Sequence, residues 1–211
     1  RKCAGLGIWE SPTANQYTFA AFSLNTIAKR IMTLGMTVWT TKQLSIDATD
    51  FTNGVVNIGL SQTIAIPKPL KISMIEYTLN DIDRQMTIVD RQTYNRYVNI
   101  ALESHPYLAY YHPQKDFGTL YVYPSPASSP YNGGTFKIQY QSPIQDIDSS
   151  SDEPDFPIEW SQLLIYELAC DLAPEYGLPI QERDRLSKER DYLRDQAQQF
   201  DVEEGSIYLQ P

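Results

Sequence analysis

The sequence predicts an α+β fold in which a helical core carries a central antiparallel β-rich insertion. Apolar residues recur at helical spacing near both ends of the chain, whereas the middle contains short runs rich in Val, Ile, Thr and Tyr. Because the helices flank the β segment, we expect one α+β domain over residues 1–200, with the insertion at about 36–145. Residues 201–211 would form an extended C-terminal tail.

The N-terminal helix has recognisable start and stop signals. Ser11 is a suitable N-cap, Pro12 fits the first helical position and Gly35 fits the end. Between Tyr17 and Ile31 apolar residues recur every three or four positions, which predicts one buried stripe along the helix.

The central segment contains eight predicted strands separated by Gly, Pro and Asn. The stretches GTLYVYP and GTFKIQY are predicted to pair antiparallel across a long turn at 125–134, where Asn132 begins an Asn-Gly-Gly turn signal. One short helix, led by Asp90, interrupts the series. The predicted strands cover residues 37–46, 54–60, 62–67, 71–79, 85–89, 107–113, 119–124 and 135–141.

Two helices follow near the C-terminus. The first starts at Pro157, carries an apolar stripe from Trp160 to Leu172, and is ended by Pro174 and Gly177. The second is predicted from about Ile180 to Phe200, and its sparse apolar residues include Leu186, Leu193 and Phe200, spaced seven apart. A helix this polar packs along one narrow seam, so we expect the seam to contact a neighbouring subunit.

Composition and charge limit the possible functions. The net charge of −9 argues against a protein that grips DNA, which requires clustered Lys and Arg. The two cysteines, Cys3 and Cys170, do not indicate a disulfide framework, so we expect synthesis in a reducing cytoplasm. No apolar run predicts a membrane span. Because the chain begins at Arg1 and not at Met, we expect further residues before it.

The search for catalytic and metal-binding motifs predicts no enzyme and no cofactor. His105 and His112 lack the companion ligands that a zinc site requires. No phosphate-binding glycine loop or nucleophile elbow is present. The acidic stretch at 146–155 lacks the spacing of a calcium loop and is interpreted as a solvated loop.

Three carboxylates spaced four residues apart, Glu167, Asp171 and Glu175, leave three interpretations open. They are a solvated helix face, a channel lining or subunit contact, or the acid and base of a glycosidase.

The C-terminal tail at 201–211 has two interpretations. Its Ile207, Tyr208 and Leu209 are either disordered or dock on a partner surface.

Five segments, in order, resemble the head-to-tail adaptor of short-tailed bacteriophages, also called the tail accessory factor or packaged-DNA stabilisation protein. They span most of the chain from Leu24 to Pro211. The segments are LNTIAKRIMTLGMTVWTTKQLSI, GTLYVYPSP, IQYQSPIQDIDSSSDEPDFPIEW, LAPEYGLP and EEGSIYLQP.

The resemblance implies a structural virion protein located in the neck of the particle. Such adaptors form a dodecameric ring beneath the portal protein, extend the channel through which double-stranded DNA passes, retain the packaged DNA and support the tail nozzle or tail tube. The C-terminal region is the portal-docking part of the family. On this chain it corresponds to 201–211, with Ile207, Tyr208, Leu209 and Gln210 as the expected anchors.

Two other function classes remain open. A surface-binding module would use Trp9, Trp39 and the Tyr-rich strands as a glycan platform. A peptidoglycan hydrolase would use the carboxylate row that begins at Glu167.

Overall fold

The computed structural model describes residues 11–34, 38–96, 102–147 and 156–200. The chain forms two units. The helical unit combines its two ends, up to Trp39 and from Ile144 onward, and the β unit is Thr40–Pro143. The predicted α+β class is confirmed, and the β insertion begins and ends within a few residues of its expected limits. Within the region predicted as a single domain over 1–200, the insertion forms a compact unit with its own core.

The order of helix, β segment and two further helices is as predicted, whereas most of strand β4 was not predicted. The helices are α1 (Ala14–Thr33), α2 (Arg91–Arg96), α3 (Ser161–Leu172), preceded by a 3-10 turn at Ile158–Trp160, and α4 (Ile180–Phe200). The strands are β1 (Thr41–Asp47), β2 (Val55–Ile58), β3 (Lys71–Leu79), β4 (Ile82–Gln85), β5 (Thr87–Ile88), β6 (Leu108–Pro113), β7 (Gly118–Tyr123) and β8 (Thr135–Gln141).

Helix α1 starts at a capping box on Thr13, two residues after the predicted N-cap Ser11. Thr13 Oγ1 accepts from the Gln16 backbone N–H at 3.4 Å, and Gln16 Oε1 accepts from the Thr13 N–H at 2.8 Å. This reciprocal pair satisfies two helix-start donors, which explains why Thr13 and not Ser11 is the cap. The predicted stop at Gly35 lies outside the described residues.

The core of the helical unit joins the second half of α1 to α3. Ile27 and Ile31 are almost fully buried against Trp160, Leu163 and Leu164. Each such aliphatic side chain stabilises the fold by about 1.5–3 kcal/mol when it is buried.

Helix α3 ends as predicted. Its last residue is Leu172, and Gly177 adopts a left-handed φ of 64° in the turn that follows. In this turn the Leu178 N–H donates to the Ala173 carbonyl at 3.2 Å. A side chain at position 177 would be strained there, so glycine suits the position.

The β unit contains two four-stranded sheets that share one core. The first sheet has the order β1-β8-β3-β4 and is antiparallel throughout. The second has the order β2-β7-β6-β5, in which only the short β5–β6 pairing is parallel. Ile75 and Phe136 of the first sheet share a buried cluster with Val56 and Leu120 of the second.

The predicted pairing of β7 with β8 is wrong. Strand β7 pairs with β2 and β6, whereas β8 pairs with β1 and β3 in the other sheet. Both strands bury alternate apolar residues in the shared core, Leu120 and Val122 from β7 and Phe136 and Ile138 from β8. The connection therefore passes from one sheet to the other, and the Asn-Gly-Gly signal is part of a 3-10 turn at Tyr131–Gly133.

The predicted strand at 62–67 is also absent. This segment makes only an isolated bridge between Ile58 and Ile64. Pro67 and Pro69 have no backbone N–H, so the segment cannot continue a strand ladder.

Candidate functional site

The predicted row of three carboxylates does not exist as an exposed row. The Glu167 side chain is only 1% exposed, whereas Asp171 and Glu175 are exposed. Position 167 lies four residues after Leu163 and three after Leu164, so it falls on the core-facing side of α3. The interpretations of Glu167 as part of a solvated face or channel lining are therefore wrong for this residue.

The buried Glu167 carboxylate is held by two arginines from two other helices. Arg30 Nη2 of α1 donates to Glu167 Oε2 at 2.5 Å, and Arg194 Nε of α4 donates to Glu167 Oε1 at 3.0 Å. The Arg194 Nη2 group also donates to Oε1. A buried carboxylate requires such partners, and here they join all three long helices of the unit.

The positions of Glu167 and Asp171 can be compared with those of the two catalytic carboxyl groups in a peptidoglycan hydrolase. A glycosidase needs two carboxyl groups that face each other across a substrate. Glu167 faces arginines, and Asp171 lies one helical turn further along the same helix. The carboxylates that one of the three interpretations treated as an acid–base pair are therefore not opposed to each other.

The apolar seam of α4 is largely covered by its own chain. Leu186 is buried with Ala169 and Ala173 of α3, and Leu193 packs against the cluster that contains Trp160 and Leu163. Leu186 is thus buried within its own chain, which argues against its assignment to a subunit interface, whereas Leu193 is only partly buried and remains a candidate interface residue. The side chain of Phe200 lies outside the described residues.

The first half of α1 forms an exposed apolar surface that was not predicted from the sequence. No residue from 14 to 22 is buried, and Tyr17, Phe19 and Phe22 are 51%, 42% and 69% exposed. The sequence contains no charged residue from 11 to 28. The predicted stripe is therefore buried only in the second half of α1, and the uncharged run is the signal that would have identified the exposed half. We call residues 14–22 the α1 surface.

A groove between α3 and α4 is a second apolar feature of the helical unit. It encloses a cavity of about 210 Å³, lined by Trp160, Leu163, Leu193, Ala197, Glu159 and Gln196. The neighbouring Ile158 is 83% exposed. We call this the α3/α4 groove.

Titratable groups in the described residues do not assemble into a reactive cluster. No group of three His, Cys, Asp or Glu side chains within these ranges could hold a metal ion. Burial raises the pKa of the Cys170 thiol, which lowers its thiolate fraction at neutral pH. Burial, and secondarily Arg84, lowers the pKa of His105, whose ring packs edge-on to Tyr77 and Tyr131.

The predicted portal anchors, Ile207, Tyr208, Leu209 and Gln210, lie outside the described residues, as does Trp9. Trp39 packs against Phe156 and Trp160, with ring centroids 5.6 and 4.5 Å apart, so it contributes to the core of the helical unit.

Within the described ranges, none of the helices has the length and apolar character needed to cross a membrane. No protein-family model matches the chain, and no curated protein matches its sequence.

Proposed function

We propose that this chain is a structural virion protein, a head-to-tail adaptor whose copies form a ring beneath the portal of a short-tailed bacteriophage. The α1 surface carries this proposal, because a chain of net charge −9 leaves an uncharged helix half with three exposed aromatic side chains. Cores of protein interfaces are depleted in charge and enriched in aromatic residues. The ordered sequence resemblance to the adaptor family supports the same function.

The α1 surface and the α3/α4 groove suit contacts between successive copies. They are different patches of one unit, and a contact between different patches repeats from copy to copy until the ring closes. The groove is large enough for one aromatic side chain, since a dry cavity of about 150 Å³ holds a benzene molecule. We therefore assign Phe22 of one copy to the groove of the next.

Assembly, retention of DNA and tail attachment would be the whole activity, with no catalytic step. Double-stranded DNA passes through a ring of acidic subunits without being gripped, because gripping requires clustered cations. The tail at 201–211 docks on the portal through Ile207, Tyr208, Leu209 and Gln210, and the opposite end of the ring receives the tail nozzle or tail tube. Docking raises the local concentration of subunits, so ring closure becomes nearly intramolecular.

Electron cryomicroscopy of the chain mixed with the portal protein of the same phage tests this function. We expect a ring of about twelve copies, as in the resembling family, seated on the tail-facing end of the portal. Portal particles that carry no added density at saturating chain concentration would contradict the proposal.

A further inference from the structure

The second sheet of the β unit carries a cluster of aromatic rings on its outward face. Tyr110 and Tyr121 are directly opposed on β6 and β7, and their rings stack at 5.6 Å with an interplanar angle of 20°. Tyr94 of α2 packs on both, with centroids 5.9 and 5.8 Å away. The His112 ring stacks on Tyr110 with centroids 6.1 Å apart. The rings therefore form one continuous aromatic surface.

Strand alternation and a short helix create a pocket on this face. Along β6, Ala109 and Tyr111 pack into the core of the β unit, so Tyr110 and His112 project to the other side. Helix α2 lies over them. The result is a cavity of about 140 Å³, here called the aromatic pocket, lined by Arg91, Tyr94, Asn95, Tyr110, His112 and Tyr121.

Hydrogen bonds hold two of the rings in place. The Tyr94 hydroxyl donates to the Val122 carbonyl at 3.2 Å, and burial raises the pKa of this hydroxyl. The Tyr110 hydroxyl hydrogen-bonds His112 Nδ1 at 3.2 Å. These bonds fix the orientation of two rings that line the cavity, so this part of the pocket is preorganised.

Three polar groups at the same pocket remain available for a ligand. Within the part of the chain that the structure describes, no hydrogen bond engages the side chains of Arg91 and Asn95 or the Tyr121 hydroxyl. They supply a guanidinium, an amide and a hydroxyl around a floor of aromatic rings. Ligand sites commonly combine an apolar floor with a few such polar groups.

We propose that the aromatic pocket binds one pyranose ring of a saccharide, with Arg91 favouring a ring that carries a carboxylate. The negative faces of the Tyr rings attract the C–H face of a sugar, and the polar groups match its hydroxyls. The Arg91 cation disfavours a cationic ligand, and this single cation does not supply the clustered Lys and Arg that nucleic-acid binding requires. The cavity has room for about one ring, whereas a proline-rich peptide needs an extended groove. This site is independent of the adaptor function, since it lies in the β unit.

Saturation-transfer NMR with the full chain tests the site. The probes are maltohexaose, chitohexaose and hexagalacturonate, and a proline-rich decapeptide is the comparison ligand. We expect saturation transfer to at least one saccharide, strongest for hexagalacturonate. Titration of the bound saccharide should show at least tenfold weaker binding after Tyr121→Ala, since a lost ring stack and its hydroxyl contact together amount to about one order of magnitude in Kd.

Two further variants separate binding from folding. Arg91→Ala changes an exposed side chain on α2 and should weaken hexagalacturonate binding about tenfold, while it changes binding of neutral saccharides less than threefold. Tyr192→Ala removes an exposed Tyr from the helical unit and should leave all binding unchanged. The proposal is overturned if none of the three saccharides binds, if only the peptide binds, or if the Tyr121 and Tyr192 variants bind equally well.

Discussion

Arg30 Nη2 of α1 lies 2.5 Å from Glu167 Oε2 of α3, and the other oxygen of the same carboxylate is held by Arg194 of α4. One buried side chain therefore connects the three long helices of the unit that carries the α1 surface and the α3/α4 groove. Since both patches lie on these helices, their geometry depends on this carboxylate.

Replacing Glu167 should destabilise the helical unit. Glu167→Ala leaves two arginines without their shared partner. We expect the free energy of unfolding to fall by about 3 kcal/mol. This value is at the lower end for a broken buried ion pair, because the Arg30 side chain is 46% exposed and can be hydrated. Urea unfolding followed by circular dichroism measures this loss. Asp171→Asn, at an exposed position one turn later, is the matched control and should change the unfolding free energy by less than about 0.5 kcal/mol. Equal stability of the two variants would refute the structural role of Glu167.

Placing charge on the α1 surface should block assembly without affecting the fold. Phe22 is 69% exposed, so Phe22→Glu should cost less than about 0.5 kcal/mol in the isolated chain while it introduces an unpaired carboxylate into the proposed subunit contact. Leu60→Glu is the control, because Leu60 is 74% exposed in the β unit.

Assembly on the portal, followed by native mass spectrometry, distinguishes these variants. Leu60→Glu should assemble as the unmodified chain does, whereas Phe22→Glu should leave partial rings or none. Ala197→Glu, in the α3/α4 groove, should have the same effect as Phe22→Glu. Complete rings from both the Phe22 and the Ala197 variants would exclude the assigned contact.

Removing the end of the tail should abolish portal docking. A chain without residues 205–211 loses the anchors Ile207, Tyr208 and Leu209 that the family resemblance assigns to the portal. We expect no co-sedimentation with portal particles, together with an unchanged Tm in calorimetry. A truncated chain that still forms rings on the portal would show that docking uses another surface.

Alkaline pH should weaken the β unit through Tyr111. Burial raises the pKa of Tyr111 to about 12, and its hydroxyl donates to the Pro69 carbonyl at 2.7 Å. The raised pKa means that folding favours the neutral form of Tyr111. The stability that this provides is fully present below pH 10 and is lost as the pH rises from about 10 to about 12.

Guanidinium titrations at pH 9 and pH 11 measure this contribution. Tyr111 should account for about 1 kcal/mol of the stability lost between these values, after allowance for its partial exposure. Tyr111→Phe should therefore show a smaller loss than the unmodified chain, and Tyr192→Phe should show the full loss. An identical pH dependence in all three proteins would contradict the assignment.

The sequence was sufficient to predict elements whose boundaries depend on local chemistry. Helix α4 runs from Ile180 to Phe200 as predicted, because a proline precedes it and polar helix formers fill it. The stop of α3 at Gly177 and the strand character of β3, β6, β7 and β8 follow from equally local signals.

Features that depend on distant partners were not predictable in this way. Alternation in β7 and β8 shows that each strand buries one face, but it does not show which strand each one pairs with. The spacing of Glu167 places it on one face of α3, but its burial depends on Arg30 and Arg194, which are 137 and 27 residues away in the sequence. The periodicity of α1 is continuous, yet only its second half has a partner in the described part of the chain.

Mass photometry of the purified chain, alone and mixed with the portal protein of the same phage, tests the central claim most directly. We predict that the 24.1 kDa chain adds to each portal particle a mass of about twelve copies, the number in the resembling family, and that Phe22→Glu adds much less. Portal particles whose mass is unchanged by an excess of the unmodified chain would contradict the adaptor function.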